Sequence, residues 1–289
     1  MALPHDPLWP RAQSLFSEDS NGDTDIALFG IPASQTSLSP TSAHRTPDAI
    51  REAFLRYSTA HSDDKVDLSK LSLSDVGNLA SPDEDESKTI SQVREISKRS
   101  KFMIALGGDN SITYSAVQGS EATGLITLDA HYDLRDGISN GSPVRRLIEA
   151  GLDGRKVAQI GIADFSNSVE YAQRAKELGI TVIPRSALRS RSVNEVWAEA
   201  ITIAGESAFV DFDMDVCDRS VVPACPAAAP GGISADEIRQ LAFLAGQSKS
   251  VIGADITEID STKDSSDERT VRLAALVVLE MIAGYSTRE

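Results

Sequence analysis

Cysteine is scarce in this chain, and long apolar runs are missing from it. Its 289 residues include only two cysteines, Cys217 and Cys225, which are too few for a disulfide scaffold and lack the spacing of a zinc site. We therefore expect reduced thiols in a cytoplasmic protein. No stretch reaches the roughly 18 apolar residues of a membrane-spanning helix. The opening MALPHDPLWPRAQ also lacks the apolar run of a signal peptide. We expect no membrane partner.

Positive charge is also in short supply. The chain has 28 Lys and Arg against 43 Asp and Glu, which gives a formal net charge of −15. Nucleic acids and anionic membranes bind basic surfaces, so this balance argues against both as partners. It does not exclude a small anionic substrate, because a local group of Arg side chains can override the field of the whole chain.

The rest of the composition is that of a globular protein with a sizeable core. Apolar residues make up 41% of the chain and charged residues 25%. The length suits one large α/β domain or two small ones. Because no linker, internal repeat or low-complexity tract divides the sequence, we expect residues 1–289 to form a single domain.

Eight short apolar runs alternate with helical patterns. Most of these runs are nearly continuous, which is typical of parallel strands buried on both faces. The alternation predicts a parallel sheet with helices on both sides. The predicted strands are DIALFGIP, LSLSDVGN, KFMIALGG, GLITLDAH, KVAQIGIA, ITVIP, SAFVDFDMD and SVIGADITE. The predicted helices are TISQVREISKRS, SPVRRLIEAG, NSVEYAQRAKELG, SVNEVWAEAITIAG, SADEIRQLAFLAGQ and VRLAALVVLEMIAGY.

Polar, mostly acidic side chains follow four of the predicted strands. In open α/β sheets, ligands bind beyond the carboxyl ends of the strands, so we expect these groups to meet at one edge. They are Asp109 and Asn110 after FMIALGG, Asp129, His131 and Asp133 after GLITL, Asp211, Asp213, Asp215 and Asp218 after SAFV, and Glu258 after SVIGADI.

The spacing of the acidic residues favours a metal site. Residues two apart in an extended segment point the same way, so Asp129, His131 and Asp133 can converge, as can Asp213 and Asp215. A single Asp in such a place is more often a turn or capping residue. Together, however, clustered carboxylates repel one another unless cations compensate. Four Asp and one His suit Mn²⁺ better than zinc, and their number fits two ions.

The motifs GGDN, DAHYD and DFDMDVCD, in this order, resemble the signature motifs of the ureohydrolase family. That family comprises arginases, agmatinases, guanidino-acid hydrolases and formimidoylglutamases. The resemblance runs from RTPDAIR near the N-terminus to DITEID near the C-terminus. It implies an arginase-like α/β fold, a three-layer α/β/α sandwich with a mostly parallel eight-stranded sheet. It also implies two Mn²⁺ ions per chain and a homo-oligomer, either a trimer or a hexamer.

The resemblance assigns a role to each acidic residue by position. Asp129 and Asp213 would bridge the two ions. Asp133 would bind the first ion, and His131 and Asp215 would bind the second.

The same resemblance implies roles for Glu258 and Asn110. Glu258 stands where the family uses a Glu to hold the cationic guanidinium or amidine group of the substrate. Asn110 stands where the family's G-G-D-H motif supplies a His to the first ion. An amide oxygen can bind Mn²⁺, but it is neutral and weaker than imidazole, so we expect the first site to be weak.

The loop LRDGISNGSPVRR lies where this family recognises the non-reacting end of its substrate. Asn140 replaces the His of the H-G element in agmatinases and arginases, and Arg135, Arg145 and Arg146 stand nearby. Arg forms bidentate pairs with carboxylates, so these residues favour an anionic substrate end. With GGDNS and CPAAAPGG, this loop also resembles the actinobacterial formimidoylglutamases of histidine degradation.

The expected reaction is hydrolysis of an amidine C–N bond, most plausibly in N-formimidoyl-L-glutamate, which would give L-glutamate and formamide. Asp133 would carry the proton to the leaving amine, and Glu258 would hold the amidinium. One alternative is an agmatinase or guanidino-acid hydrolase that releases urea. Another is a metal-poor, inactive family member with a binding or regulatory role.

Overall fold

A single eight-stranded sheet forms the centre of the computed structural model, which describes residues 6–17 and 22–288. The strands are β1 (Thr24–Ile31), β2 (Leu73–Asn78), β3 (Ser100–Gly107), β4 (Gly124–Leu128), β5 (Val157–Ile162), β6 (Thr181–Pro184), β7 (Ala208–Asp213) and β8 (Val251–Thr257). Their order in the sheet is β2-β1-β3-β8-β7-β4-β5-β6, and every neighbouring pair is parallel. All eight predicted strands are therefore confirmed.

Eight α-helices connect or follow these strands in the described part of the chain. They are α1 (Thr46–Ala53), α2 (Glu86–Ser97), α3 (Ile112–Ser120), α4 (Pro143–Glu149), α5 (Val169–Glu177), α6 (Val193–Ala204), α7 (Ala235–Gln247) and α8 (Arg269–Ser286). The six predicted helices are present. Helices α1 and α3 were not predicted. Helix α3 is buried along most of its length, so it lacks the polar face that makes a helix recognisable in a sequence.

The helices cover both faces of the sheet and create two apolar cores. Along β1, Ile26 and Leu28 join one core with residues of α1, α6, α7 and α8. The intervening Ala27 and Phe29 join the other core with residues of α2, α3, α4 and α5. Successive strand residues point to opposite faces, so each strand must be apolar on both. This arrangement is the expected three-layer α/β/α sandwich.

The four central strands end at the same edge of the sheet. Strands β3, β8, β7 and β4 are consecutive neighbours, and they are the strands that the acidic motifs follow. The loop after β1 is fastened over this edge by three carboxylates. Asp83 accepts hydrogen bonds from the backbone N–H of Ser34 and Gln35. Asp109 accepts one from Ser37, and Asp260 accepts one from the backbone of Ser42.

The structure also bears on the expectations about membrane helices and cysteines. In the ranges 6–17 and 22–288, no helix is both long enough and apolar enough to cross a bilayer. Cys217 and Cys225 are buried free thiols.

Helices α7 and α8 cross at two glycines that bring their backbones together. A Cβ atom on Gly246 would lie 1.9 Å from the carbonyl oxygen of Met281, and one on Gly284 would lie 2.0 Å from that of Phe243. Both obstacles are backbone atoms, so no side-chain rotation can relieve them. The close crossing therefore depends on the missing side chains.

We predict that Gly246→Ala destabilises the protein by about 1–3 kcal/mol, although Ala is normally the better helix former. The added methyl group must push α7 away from α8. The free energy of unfolding from urea titration measures the effect. Thr202→Ala, on the exposed side of α6, is the control and should change that free energy by less than about 0.5 kcal/mol. Equal stability of Gly246→Ala and the parent would contradict the close crossing.

Candidate active site and metal centre

Five residues from two strand ends form a buried cluster of metal-type ligands. Within it, two groups of side chains each bring their ligand atoms within 4.8 Å of one another. One group is Asp129, His131 and Asp215, and the other is Asp129, Asp133 and Asp213. The predicted residues converge, but not through the extended backbone that the prediction assumed, because Asp133 has a left-handed backbone conformation and Asp215 lies in a short 3-10 helix after β7. Asp129 belongs to both groups, as expected for a ligand shared by two ions.

The electrostatics of the cluster call for positive charge. Burial raises the pKa of Asp129 to about 6, although its contact with His131 partly offsets the rise. Burial also holds the pKa values of Asp133 and Asp213 well above normal, and neighbouring carboxylates add to both shifts. Oδ2 of Asp129 is buried without a hydrogen-bond partner in the described structure. The donor set therefore fits divalent cations such as Mn²⁺.

His131 lies among these carboxylates. Its Nδ1 is 3.0 Å from Oδ2 of Asp215 and 3.5 Å from Oδ1 of Asp129. Burial alone would lower the pKa of the imidazole, but hydrogen bonds to these two carboxylates raise it to about 12. The two carboxylates thus favour the imidazole that carries an extra proton and a positive charge. An imidazole must be neutral to bind a metal ion, so a bound ion would take the place of that proton.

Asn110 lies beside the cluster, but its amide faces the opposite way from the prediction. Its Nδ2 donates to Oδ2 of Asp133 at 2.5 Å. Its Oδ1 accepts hydrogen bonds from the hydroxyls of Thr113 and Thr257, at 2.7 and 3.2 Å. An N–H group suits a carboxylate neighbour, whereas an amide oxygen there would repel it. The role of Asn110 as a metal ligand therefore stays a prediction, and it requires the amide to rotate.

Glu258 faces the same cavity, and hydrogen bonds hold one of its two carboxylate oxygens. Its Oε1 accepts from the backbone N–H of Asn110 and from Nδ2 of Asn140, each at 2.8 Å. Burial, with repulsion from Asp109, raises its pKa to about 8, and the hydrogen bonds from Asn140 and Asn110 limit the rise. Asn140 also accepts from the backbone N–H of Leu38 at 3.0 Å. Asn140 thus joins the loops after β1 and β4 to Glu258.

Asp133 and Glu258 both have left-handed backbone conformations, with φ of 53° and 63°. This region is uncommon for residues other than glycine and costs of order 1–3 kcal/mol unless the surroundings impose it. The strain coincides with the two positions that the sequence assigned to catalysis. The left-handed backbone at these two residues directs both carboxylates into the cavity at the ends of β4 and β8.

The three predicted arginines have different surroundings. Arg145 donates to the backbone carbonyls of Arg135 and Gly137 and to Glu149. Arg146 forms two hydrogen bonds to Glu86, at 2.6 and 2.8 Å, and stacks over a tyrosine ring. Neither arginine lines the cavity. Arg145 therefore holds the loop before α4 in place, and Arg146 connects α4 to α2. Of the three arginines, only Arg135 remains as the proposed contact for an anionic substrate end.

Arg135 is exposed and lines the mouth of the cavity. Among the residues that the structure describes, its guanidinium group has no hydrogen-bond or ion-pair partner. A side chain on Gly141 would come within 2.7 Å of Cδ of Arg135, so the glycine makes room for the stem of the arginine. The cavity, of about 490 Å³, thus has acidic groups at its base and a free cation at its mouth. That volume suits a small molecule.

Two residues of this region, Asp255 and Asn167, were not expected from the sequence. Asp211 and Asp255 are fully buried partners on β7 and β8, directly below the cluster. Burial raises both pKa values, that of Asp255 to about 7. Asp211 and Asp255 each interrupt an apolar run in the sequence. For Asp255, this interruption is the feature from which its role could have been recognised. Asn167, on the loop after β5, also lines the cavity, but nothing in its sequence context marks it.

Comparisons with known proteins agree with this arrangement. The chain is 34% identical to the formimidoylglutamase of Halalkalibacterium halodurans over 277 residues, which cover 90% of this chain and 86% of that protein. The formimidoylglutamase structure from Bacillus subtilis superposes with a TM-score of 0.90 and 28% identity, covering 99% of this chain and 95% of that one. The structure of Trypanosoma cruzi formiminoglutamase with Mn²⁺₂ also gives a TM-score of 0.90, with 26% identity and coverage of 97% and 100%.

The family assignment rests on nearly the whole chain. The sequence model of the arginase family matches residues 24–284, which include all eight strands and every residue of the cluster. The strand order, the metal-type ligands and the relatives thus lead to one conclusion. This chain belongs to the arginase family.

Proposed function

We propose that this protein hydrolyses the amidine C–N bond of N-formimidoyl-L-glutamate to give L-glutamate and formamide. The observation that carries the proposal is the placement of Glu258 and the carboxylate–imidazole cluster in one cavity with Arg135 at its mouth. This order suits a substrate with a cationic amidine at one end and carboxylates at the other. The likeness to proteins named formimidoylglutamase supports the same choice.

We infer that the cluster holds two Mn²⁺ ions. Asp129, His131, Asp133, Asp213 and Asp215 are the residues of this chain that would hold them. Bound ions of this type supply Lewis acidity, which makes water a stronger nucleophile near neutral pH.

Glu258 binds the amidinium group in this proposal. Its Oε1 already accepts two hydrogen bonds, so Oε2 is the acceptor available to the substrate N–H groups. A cation beside the carboxylate favours the ionised form and opposes the effect of burial on its pKa. Asn110 and Asn140 keep the carboxylate from turning away. The amidine carbon is thereby held close to the base of the cavity.

Asp133 is the proposed proton carrier. It is buried at the base of the cavity, and Nδ2 of Asn110 holds its Oδ2 in place. One of its oxygens lies within 4.8 Å of ligand atoms of Asp129 and Asp213, where water and the leaving nitrogen would meet. Proton transfer by a positioned carboxyl group is a common component of hydrolysis.

The charge at the cavity mouth favours this substrate over the alternatives. Agmatine would bring a second positive charge toward Arg135, which repels it. A guanidino acid would keep the favourable contact with Arg135, so hydrolysis of such a compound is the second candidate. A metal-poor binding role would leave only protons to compensate the charges of the five clustered ligands.

We also infer a cytoplasmic homo-oligomer, a trimer or hexamer. The likeness to the ureohydrolase family supports the assembly, and the two free thiols suit a reducing compartment.

Steady-state assays with formimidoylglutamate, agmatine, arginine and guanidinobutyrate test the proposed substrate. We expect kcat/KM to be largest for formimidoylglutamate, because only this compound pairs a cationic amidine with two carboxylates. A clear preference for agmatine would overturn the substrate while leaving the family assignment in place.

We expect Asp129→Ala to lose both metal and nearly all activity, because Asp129 is the ligand common to both groups. Metal analysis after gel filtration and a turnover assay check this. Asp164→Ala, which removes an exposed carboxylate outside the cluster, is the control and should retain metal and activity. Full turnover with two ions per chain in Asp129→Ala would refute the shared-ligand role.

We predict that the parent protein retains less than two Mn²⁺ per chain after dialysis, with activity restored by added Mn²⁺. The reason is that Asn110 is neutral and its oxygen is already bonded to two hydroxyls. Asn110→His should increase retention, measured by metal analysis. Asn140→His makes the same chemical change beside Glu258 and should leave retention unchanged. Two tightly held ions in the dialysed parent would count against a weak first site.

We predict that Arg135→Ala lowers kcat/KM for formimidoylglutamate by roughly tenfold, mainly through KM. A hydrogen bond to a charged group contributes about 1.5–3 kcal/mol, and exposure of Arg135 favours the lower end. Arg155→Ala, an exposed arginine that lines none of the cavity, makes the same change in net charge and should have no effect. Activity on agmatine should stay equal or rise. Unchanged kinetics in Arg135→Ala would remove Arg135 from the substrate site.

A further inference from the structure

The backbone on either side of His131 is held by one side chain from another loop. Oδ1 of Asn167 accepts a hydrogen bond from the N–H of Tyr132 at 3.1 Å. Nδ2 of the same amide donates to the carbonyl of Ala130 at 2.9 Å. The two contacts bracket His131, which lies between Ala130 and Tyr132 in the chain.

The Asn167 amide makes these contacts at the point where the pairing of β4 with β5 ends. Regular pairing of β4 with β5 ends at Leu128 and Ile160. Two more backbone bonds continue it, from Asp129 N–H to Ile160 and from Ala163 N–H to Ala130. Beyond them the chain after β5 turns away. A side-chain amide carries the same donor and acceptor as a peptide group. Asn167 therefore supplies an acceptor for the N–H of Tyr132, which β5 does not reach, and a second donor to the carbonyl of Ala130.

Other contacts complete the hold on this short segment. The N–H of His131 donates to Oδ1 of Asp129 at 2.6 Å. The carbonyl of Tyr132 accepts from Nε2 of Gln159 at 3.1 Å. With both flanking residues fixed, the direction of the Cα–Cβ bond of His131 is fixed as well, and from that position Nδ1 reaches Asp215.

Asn167 is not needed to start the helix that follows it. The cap of α5 is Ser168, whose side chain accepts from the N–H of Tyr171 at 3.2 Å. Both ends of the Asn167 amide are instead directed to the segment that carries His131. An asparagine serving only its own turn would bond to backbone groups a few residues away, whereas these partners lie 35 and 37 residues earlier.

We propose that Asn167 is a positioning residue that fixes His131 for metal binding. The inference rests on the metal centre of the proposed function. Residues that orient metal ligands from outside the ligand set typically change metal affinity or activity by 10- to 100-fold when they are replaced. Asn167 acts in this way through the backbone of its neighbours, without binding the ion itself.

Calorimetric titration of the metal-free protein with MnCl₂ tests the proposal. Asn167→Ala removes both hydrogen bonds, and we expect Mn²⁺ affinity to fall about 10- to 100-fold. The turnover number of the variant should recover toward the parent value at saturating Mn²⁺. Asn167→Asp keeps the shape of the side chain but directs a carboxylate oxygen at the Ala130 carbonyl. It should weaken binding as well, and it preserves the test if Asn167→Ala does not fold.

Ser168→Ala is the matched control. It removes the cap of α5 one residue away and leaves the contacts to Ala130 and Tyr132 in place, so Mn²⁺ affinity should equal that of the parent. Unchanged affinity in Asn167→Ala, or an equal loss in Ser168→Ala, would overturn the proposal. A protein that shows the expected Mn²⁺ titrations yet fails to hydrolyse formimidoylglutamate would contradict the proposed substrate and leave the role of Asn167 standing.

Discussion

The structure is governed by the repulsion among carboxylates buried at the centre of one sheet edge. Asp133, Asp213 and Asp215 each have a ligand atom within 4.8 Å of a ligand atom of Asp129, and charges that are buried cost more than charges in water. Asp211 and Asp255 add two more acidic groups directly below. Such an arrangement is stable only when cations are bound or when some of the groups are protonated. The fold must therefore hold the side chains together against their repulsion, and the arginase-family sheet does so with four adjacent parallel strands.

Hydrogen bonds from other polar groups hold the loops at this edge in their positions. Asp83, Asp109 and Asp260 hold the loop after β1, and Asn140 connects that loop to Glu258. Asp133 and Glu258 can keep left-handed backbone conformations because their neighbours are fixed in this way. Preorganisation of this kind matters for hydrolysis, since a carboxylate that must first rotate into place loses part of its effect.

The sequence was informative wherever the determining pattern is local. Apolar runs identified every strand, and the acidic motifs DAHYD and DFDMD at two strand ends identified the residues that converge, although the backbone there is not extended as assumed. It was less informative where contacts join distant segments. The partner of Arg146 is Glu86, and the partners of Asn167 lie on another strand end, so neither could be read from neighbouring residues. The orientation of the Asn110 amide depends on Thr257, which is far away in sequence. Helix α3 was missed because burial on nearly all sides leaves no periodic polar face.

The order of charges along the cavity, rather than the net charge of the protein, accounts for substrate selection in the proposed function. A chain with a net charge of −15 repels a dianionic substrate end at long range, yet screening in salt confines that repulsion to about 10 Å. Within that distance the proposed substrate would meet Arg135 at the mouth and Glu258 below it, since both line the cavity. Arg145 and Arg146 cannot take the place of Arg135, because each is already committed to another partner. A substrate that is negative at its outer end and positive at its reacting end therefore matches both groups at once, whereas a dication such as agmatine matches only Glu258.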